Sequence, residues 1–232
     1  MLIVTEVAPY SDGPAGVHGV LGQAATALMQ LASLHGLEAS VVSDVRTLPV
    51  EQLAGADVIA LFTIGETRFS SDQRSALMGS WTSGKTRLLG IHSATDACYE
   101  WAEYGELIGA RFDGHPWTQS FDIDVIDRTH PSTEHLGERW PWHDEIYLFR
   151  SLRPDARILL RVAEGRLDME VPGARAPDHG FPLAWCRTAG PARMFYSALG
   201  HFPGAWETPA FLRHLDGALL WLLEEAPGDQ ST

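Results

Sequence analysis

Short apolar runs alternate with amphipathic stretches through the first half of the chain, the pattern of βαβ units that feed a parallel sheet. Residues 2–7 begin with Leu2-Ile3-Val4 and predict a strand, and a loop over 8–17 carries Pro9, Gly13, Pro14 and Gly16. Behind it Leu21, Ala24, Leu28 and Leu31 recur at helical spacing until Gly36 ends the helix. Further strands are expected at 38–43, 57–62 and 87–91, the second so continuously apolar that helices should cover both of its faces. Ser70 and Gln73 form a capping box ahead of a helix carrying Ala76, Leu77 and Trp81, which Gly84 closes. Apolar spacing over 97–108 is again helical. Beyond Gly109 the rhythm changes to loops rich in His, Pro and Trp between strand candidates at 120–126, 146–149, 158–162, 183–186 and 194–199, and an amphipathic helix spans 210–223. There is no internal repeat. The expectation is one α/β domain over residues 1–225, doubly wound on a mainly parallel sheet with additional β-rich loops in its second half, and a flexible tail over 226–232.

Composition narrows the function. A chain of 232 residues with 45% hydrophobic content can bury one large core. A formal net charge of -13, with no cluster of Lys or Arg to offset it, would repel a phosphate backbone, so no nucleic-acid partner is expected. No run approaches the roughly 20 apolar residues of a membrane span. Met1 leads into an apolar run with no basic segment before it, so no signal peptide is expected. Cys98 and Cys186 fall in segments that read as a helix and a buried strand, which suits free thiols in a reducing compartment and predicts a cytoplasmic location.

In an open parallel sheet, ligands bind outside the carboxyl ends of the strands. The loops that matter are then 9–18, 63–69, 92–96 and 200–206, and they bring His18, Thr63, His92, Asp96 and His201 to the candidate pocket. His92 stands in Gly90-Ile91-His92-Ser93-Ala94-Thr95-Asp96, a tight strand-to-helix turn of the kind that lifts one side chain over a sheet. An imidazole there can transfer a proton near neutrality or, as the neutral ring, bind a metal. His201 ends Phe195-Tyr196-Ser197-Ala198-Leu199-Gly200-His201, where a β-rich run stops at a glycine. Further candidates are His115 in Asp113-Gly114-His115-Pro116, His130 in His130-Pro131-Ser132, Asp144-Glu145 with Tyr147, and Asp178-His179, although such groupings also make ordinary Asx-type turns. Neighbours in an extended chain face opposite ways, so at most one of Asp144 and Glu145 should reach the pocket. His35, His135, His143 and His214 show no converging pattern and are expected to face solvent. With no Walker A sequence, no G-x-G-x-x-G and no H-E-x-x-H, neither a nucleotide cofactor nor a zincin site is expected.

Five of these pieces, Gly90 to Asp96, Phe112-Asp113-Gly114-His115-Pro116, His130-Pro131-Ser132-Thr133, Asp144-Glu145-Ile146-Tyr147 and Ala198-Leu199-Gly200-His201, occur in an order that resembles the ThuA-like (trehalose utilisation) family over nearly the whole chain. The resemblance implies a flavodoxin-like sheet of the class I glutamine amidotransferase-like superfamily. In amidotransferases of that superfamily the elbow residue is a cysteine nucleophile activated by a late histidine. Here His92 holds the elbow and His201 resembles the late histidine. Glutaminase chemistry is therefore not expected, since its acyl intermediate needs a thiolate and Cys98 is placed too far into the next helix.

The family association implies a sugar or an oxidised keto-sugar as ligand, and Trp117, Trp140, Trp142, Tyr147 and Trp185 lie among the polar candidates of the second half. The leading expectation is an enzyme that moves a proton next to a carbonyl, with His92 and His201 as acid and base and Asp144 or Glu145 assisting. One alternative is a divalent metal such as zinc held by His92, His201 and a carboxylate. Another is a sugar-binding or regulatory module without catalysis. The aromatic-rich second half suggests a homodimer.

Overall fold

The computed structural model describes residues 1–224 apart from 15, 17, 164 and 166, so the tail expected over 226–232 lies outside the described residues. In chain order the strands are β1 (Leu2–Val4), β2 (Ser40–Val42), β3 (Val58–Leu61), β4 (Arg87–Ile91), β5 (Arg111–Phe112), β6 (Trp117–Val125), β7 (Arg139–Ile146), β8 (Phe149–Arg150), β9 (Arg157–Val162), β10 (Pro182–Ala189) and β11 (Ala192–Ser197). The helices are α1 (Leu21–Leu34), α2 (Val50–Gly55), α3 (Ser71–Thr82), α4 (Ala102–Ile108) and α5 (Pro209–Leu223). Nine strands form one sheet in the order β2-β1-β3-β4-β11-β10-β9-β6-β7, and β5 pairs with β8 beside it. The pairings from β2 across to β11 are parallel, and those from β11 to β7 are antiparallel.

The parallel half forms as the apolar pattern requires. All four residues of β3 are buried, and β4 is buried from Leu88 to Ile91, because helices cover both faces of these central strands. The capping box is present, with the Ser70 hydroxyl accepting from the Gln73 N–H and the Gln73 side chain accepting from the Ser70 N–H. Sequence patterning misplaces three elements. The helix expected over 97–108 begins only at Ala102, because Cys98 takes a left-handed φ of 55° and Trp101 is extended. The segment 146–149 is not one strand: β7 ends at Ile146, the chain turns through Tyr147 and Leu148, and Phe149 begins β8. Finally β7 itself is hidden by Pro141, which an edge strand tolerates because its missing N–H would face away from the ladder.

Two histidines lie in the core under α5. His214, expected at the surface, is fully buried, its Nδ1–H donating to the Ser132 carbonyl at 2.9 Å while Nε2 meets the Ser197 hydroxyl at 3.2 Å. His130, expected in the pocket, instead packs on Phe195 and Trp221 and bonds Ser132. Alternation along β11 explains the correction, since Phe195 and Tyr196 face opposite sides of the sheet. Burial lowers the pKa of His130 to about 4 and of His214 to about 3. Both rings fold neutral, so the unfolded chain binds more protons below its ordinary histidine value near 6.5, and stability present above that pH is lost as it falls towards 4. We expect stability to drop by about 2 kcal/mol per buried histidine between pH 7 and pH 4.5. Denaturant titrations across that window should show the slope, and His214→Gln should flatten it; an unchanged slope would contradict the assignment.

Candidate functional site

The carboxyl ends of β1, β3, β4 and β11 open on one edge of the sheet, and the loops that follow them meet there. At the end of β4 the chain turns sharply at His92, whose φ of 48° is left-handed and strained for a non-glycine residue. Packing overrides that cost. The Tyr196 hydroxyl donates to the His92 carbonyl at 2.5 Å and also meets the Thr95 hydroxyl at 3.0 Å, while the Tyr104 hydroxyl donates to the Ala94 carbonyl at 2.9 Å. The buried Arg111 guanidinium donates to the carbonyls of Ala97 and Trp101, fixing the segment beyond the elbow.

The His92 ring is completely buried. Its Nδ1–H donates to the Ala198 carbonyl at 2.8 Å, since a carbonyl can only accept, and this leaves Nε2 as the unprotonated nitrogen. Around Nε2 gather the Tyr147 hydroxyl at 2.8 Å, His201 Nδ1 at 3.2 Å and the Glu145 carboxylate at 3.5 Å. Glu145 is also 3.3 Å from His201 Nδ1 and 3.7 Å from His115 Nδ1. His18 completes the group, its ring centroid 5.0 Å from that of His92 and 5.2 Å from that of His201. Phe62 packs against both His18 and His92 and stacks on Trp206, giving the cluster an apolar floor.

This setting disfavours charge on the imidazoles. Burial holds His92 far below its ordinary value, brings His18 to about 4, and lowers His201, with neighbouring imidazoles acting in the same direction. Burial, together with the carboxylates of Asp144 and Asp96, raises Glu145 to about 7. A carboxyl group at that value can give or take a proton at neutral pH.

Asp144 and Glu145 point apart, as adjacent strand residues must. Glu145 enters the cluster, while the buried Asp144 carboxylate accepts from the Gly200 N–H at 2.8 Å, the Trp142 Nε1–H at 3.0 Å and the Glu145 N–H at 3.0 Å. Asp144 therefore holds the Gly200-His201 corner in place. Gly200 has a φ of 115°, and a Cβ there would press on Phe211 and Trp206 at 3.2 and 3.3 Å, so the corner needs glycine.

Beside the cluster is a cleft of about 610 Å³ lined in part by Tyr10, Glu66, Asp96, Tyr99, Phe112 and Arg150. Asp96 accepts hydrogen bonds from the hydroxyls of Tyr10 at 2.6 Å and Tyr99 at 2.5 Å. Phe112 connects the two regions, lining the cleft and packing on Tyr147 at a centroid distance of 4.6 Å.

Of the residues expected in the pocket, the structure brings together His18, His92, His115, Glu145, Tyr147 and His201, with Asp96 in the adjoining cleft. Thr63 is buried at the end of β3, Asp144 supports the site from beneath, and His130 lies under α5. Asp178 and His179 sit on the loop before β10, where His179 feels the charge of Arg161 rather than any residue of the cluster. Sequence reasoning missed Tyr10, Tyr99, Phe62 and Trp206. Tyr10 lies within the loop after β1 that the strand-end rule had marked, whereas Tyr99 was hidden by the mistaken helix. Cys98 is buried with its thiol raised to about 12, which makes it inert.

A half-parallel sheet whose elbow carries a buried histidine, faced by a second histidine after the last strand, defines an α/β domain with its candidate site at the carboxyl edge of the parallel strands. The family model for ThuA, described as trehalose utilisation, matches residues 10–222, and the chain belongs to that family. A putative ThuA-like protein from Bacteroides uniformis aligns with a TM-score of 0.74 at 20% identity, covering 95% of this chain and 90% of that one. Another from Parabacteroides merdae aligns with a TM-score of 0.73 at 17% identity, over 98% and 93%. A cytoplasmic protein from Salmonella typhimurium follows with a TM-score of 0.60 at 14% identity, over 96% and 97%. At these identities the likeness is one of fold. No curated protein matches the chain. No helix among the described residues is long and apolar enough to cross a membrane.

Proposed function

We propose that this chain is an enzyme of carbohydrate utilisation that moves a proton at the carbon next to the carbonyl of an oxidised sugar. The observation that carries the reading is the meeting of Glu145, His201 and Tyr147 around one unprotonated nitrogen, His92 Nε2, at 2.8 to 3.5 Å. Glu145 and the partly exposed His201 are the groups a substrate can touch, and His92, sealed from solvent, is the positioning residue that orders them. In this scheme the Glu145 carboxylate takes the proton, and the electron pair of the broken C–H bond passes into the carbonyl to form an enediolate. A proton from the His201 side neutralises the enediolate oxygen; return of a proton to the original carbon from its other face, as that oxygen gives its proton back, yields the epimer, and delivery to the former carbonyl carbon, as the second enediol hydroxyl loses its own proton, yields the isomer. The adjoining cleft supplies what a sugar needs, aromatic faces from Tyr10, Tyr99 and Phe112 together with Asp96 and Arg150 as hydrogen-bonding groups. Two free, buried cysteines support a reducing compartment, and we place the enzyme in the cytoplasm.

The test incubates the protein in D2O with keto-disaccharides and keto-hexoses and follows deuterium entry at the carbon beside the carbonyl by NMR. Turnover with deuterium entry, lowered about 10²- to 10⁴-fold in Glu145→Gln, is the expected result. Calorimetric binding that Glu145→Gln leaves unchanged, with no exchange and no product, would identify a binding module instead.

A further inference from the structure

We propose that His18, His92 and His201 together bind one divalent transition-metal ion of the zinc class, with the Glu145 carboxylate beside the fourth position. Three loops from distant parts of the chain, following β1, β4 and β11, deliver one imidazole each, and their ligand nitrogens all lie within 4.8 Å of one another. Bonds of about 2.0–2.1 Å to a tetrahedral ion set neighbouring ligands about 3.3 Å apart. The separation of His92 Nε2 from His201 Nδ1 is 3.2 Å, and the Glu145 carboxylate stands 3.3 and 3.5 Å from the same two atoms. His18 Nδ1 is buried with no hydrogen-bond partner, an arrangement that leaves a lone pair without use in the protein alone.

The surroundings match the requirements of a metal ligand set. The Ala198 carbonyl accepts from His92 Nδ1–H, the outer-sphere contact that fixes the tautomer of a ligating histidine and aims its other nitrogen at the ion. Imidazole coordinates in its neutral form, through the nitrogen that carries no proton. With Nε2 of His92 engaged, the Tyr147 hydroxyl is free to donate to an oxygen on the open side. What the ion would do, polarise a sugar carbonyl as a Lewis acid, rests on the function proposed above, whereas its binding rests on the three imidazoles alone.

The experiment uses the full chain freed of any affinity tag, stripped with a chelator and titrated with Zn²⁺ or Co²⁺, and the bound metal is measured after gel filtration. About one ion per chain is expected, with the visible bands of low-symmetry Co²⁺. His18→Ala and His201→Ala should each weaken binding by more than about 100-fold, since even outer-sphere partners cost 10- to 100-fold, while His143→Ala, an exposed ring outside the cluster, should bind as the parent does. Uptake below about one ion per ten chains, or parent-like affinity in His18→Ala, would overturn the proposal. Metal uptake without turnover of any keto-sugar would sustain the metal centre and end the carbohydrate reading. Full turnover by stripped protein that takes up no ion would do the reverse.

Discussion

His92→Asn loses about 10³-fold or more of the proton-exchange rate while the protein still folds. Asparagine is chosen because it tolerates the left-handed backbone that His92 adopts at a φ of 48°, so the elbow survives and only the imidazole disappears. That imidazole presents the single unprotonated nitrogen around which Tyr147, His201 and Glu145 arrange themselves. Its loss releases the Tyr147 hydroxyl and allows His201 and Glu145 to pair without it. The defect should fall on kcat, with KM shifting less than about threefold, because substrate meets the neighbours of His92 and not the buried ring itself. Circular dichroism and thermal melting would establish that the fold is kept. A folded variant within tenfold of the parent rate would remove His92 from the machinery.

Asp144→Ala should lower stability by about 3–5 kcal/mol, which for a chain of this size corresponds to a melting temperature roughly 10 °C lower. Three donors converge on this carboxylate, the N–H groups of Gly200 and Glu145 and the indole of Trp142, and alanine would leave them without their acceptor. Burial raises the pKa of Asp144 even against those donors, so the folded state gains from the hydrogen-bond network more than from the charge itself. Asp144→Asn keeps the shape but turns an amide towards N–H groups, and should recover only part of the loss. Both variants should also slow turnover, because the Gly200-His201 corner would no longer be held. A melting temperature within about 2 °C of the parent would show that Asp144 does not support the corner.

The pattern of apolar positions carried much of the fold and a recognisable share of the site. β3 and β4, the capped helix α3 and the final helix α5 follow from hydrophobic runs and local capping chemistry, which act over a few residues and are therefore written in the sequence. The strand-end rule located His18, His92 and His201, because a parallel sheet delivers its loops to one edge whatever their composition. The antiparallel half was harder to read. β7 is a Trp- and Pro-containing edge strand whose partner β6 is chosen by long-range pairing, and its local sequence has no strand period that stands out.

The sequence by itself determined the order of elements, the glycine corner before His201, and the opposite directions of Asp144 and Glu145, since each depends only on backbone geometry over neighbouring residues. Tertiary packing decided which histidines meet. His18, marked by the strand-end rule, and His130, a further candidate in a turn, were both expected in the pocket, yet His130 is carried under α5 against Phe195 and Trp221 while His18 joins His92 and His201. Tyr147 faces His92 only because β7 ends one residue earlier and the chain turns there. Contacts of that kind, such as the 109-residue separation between His92 and His201, form when distant strands pair, and no local pattern encodes them.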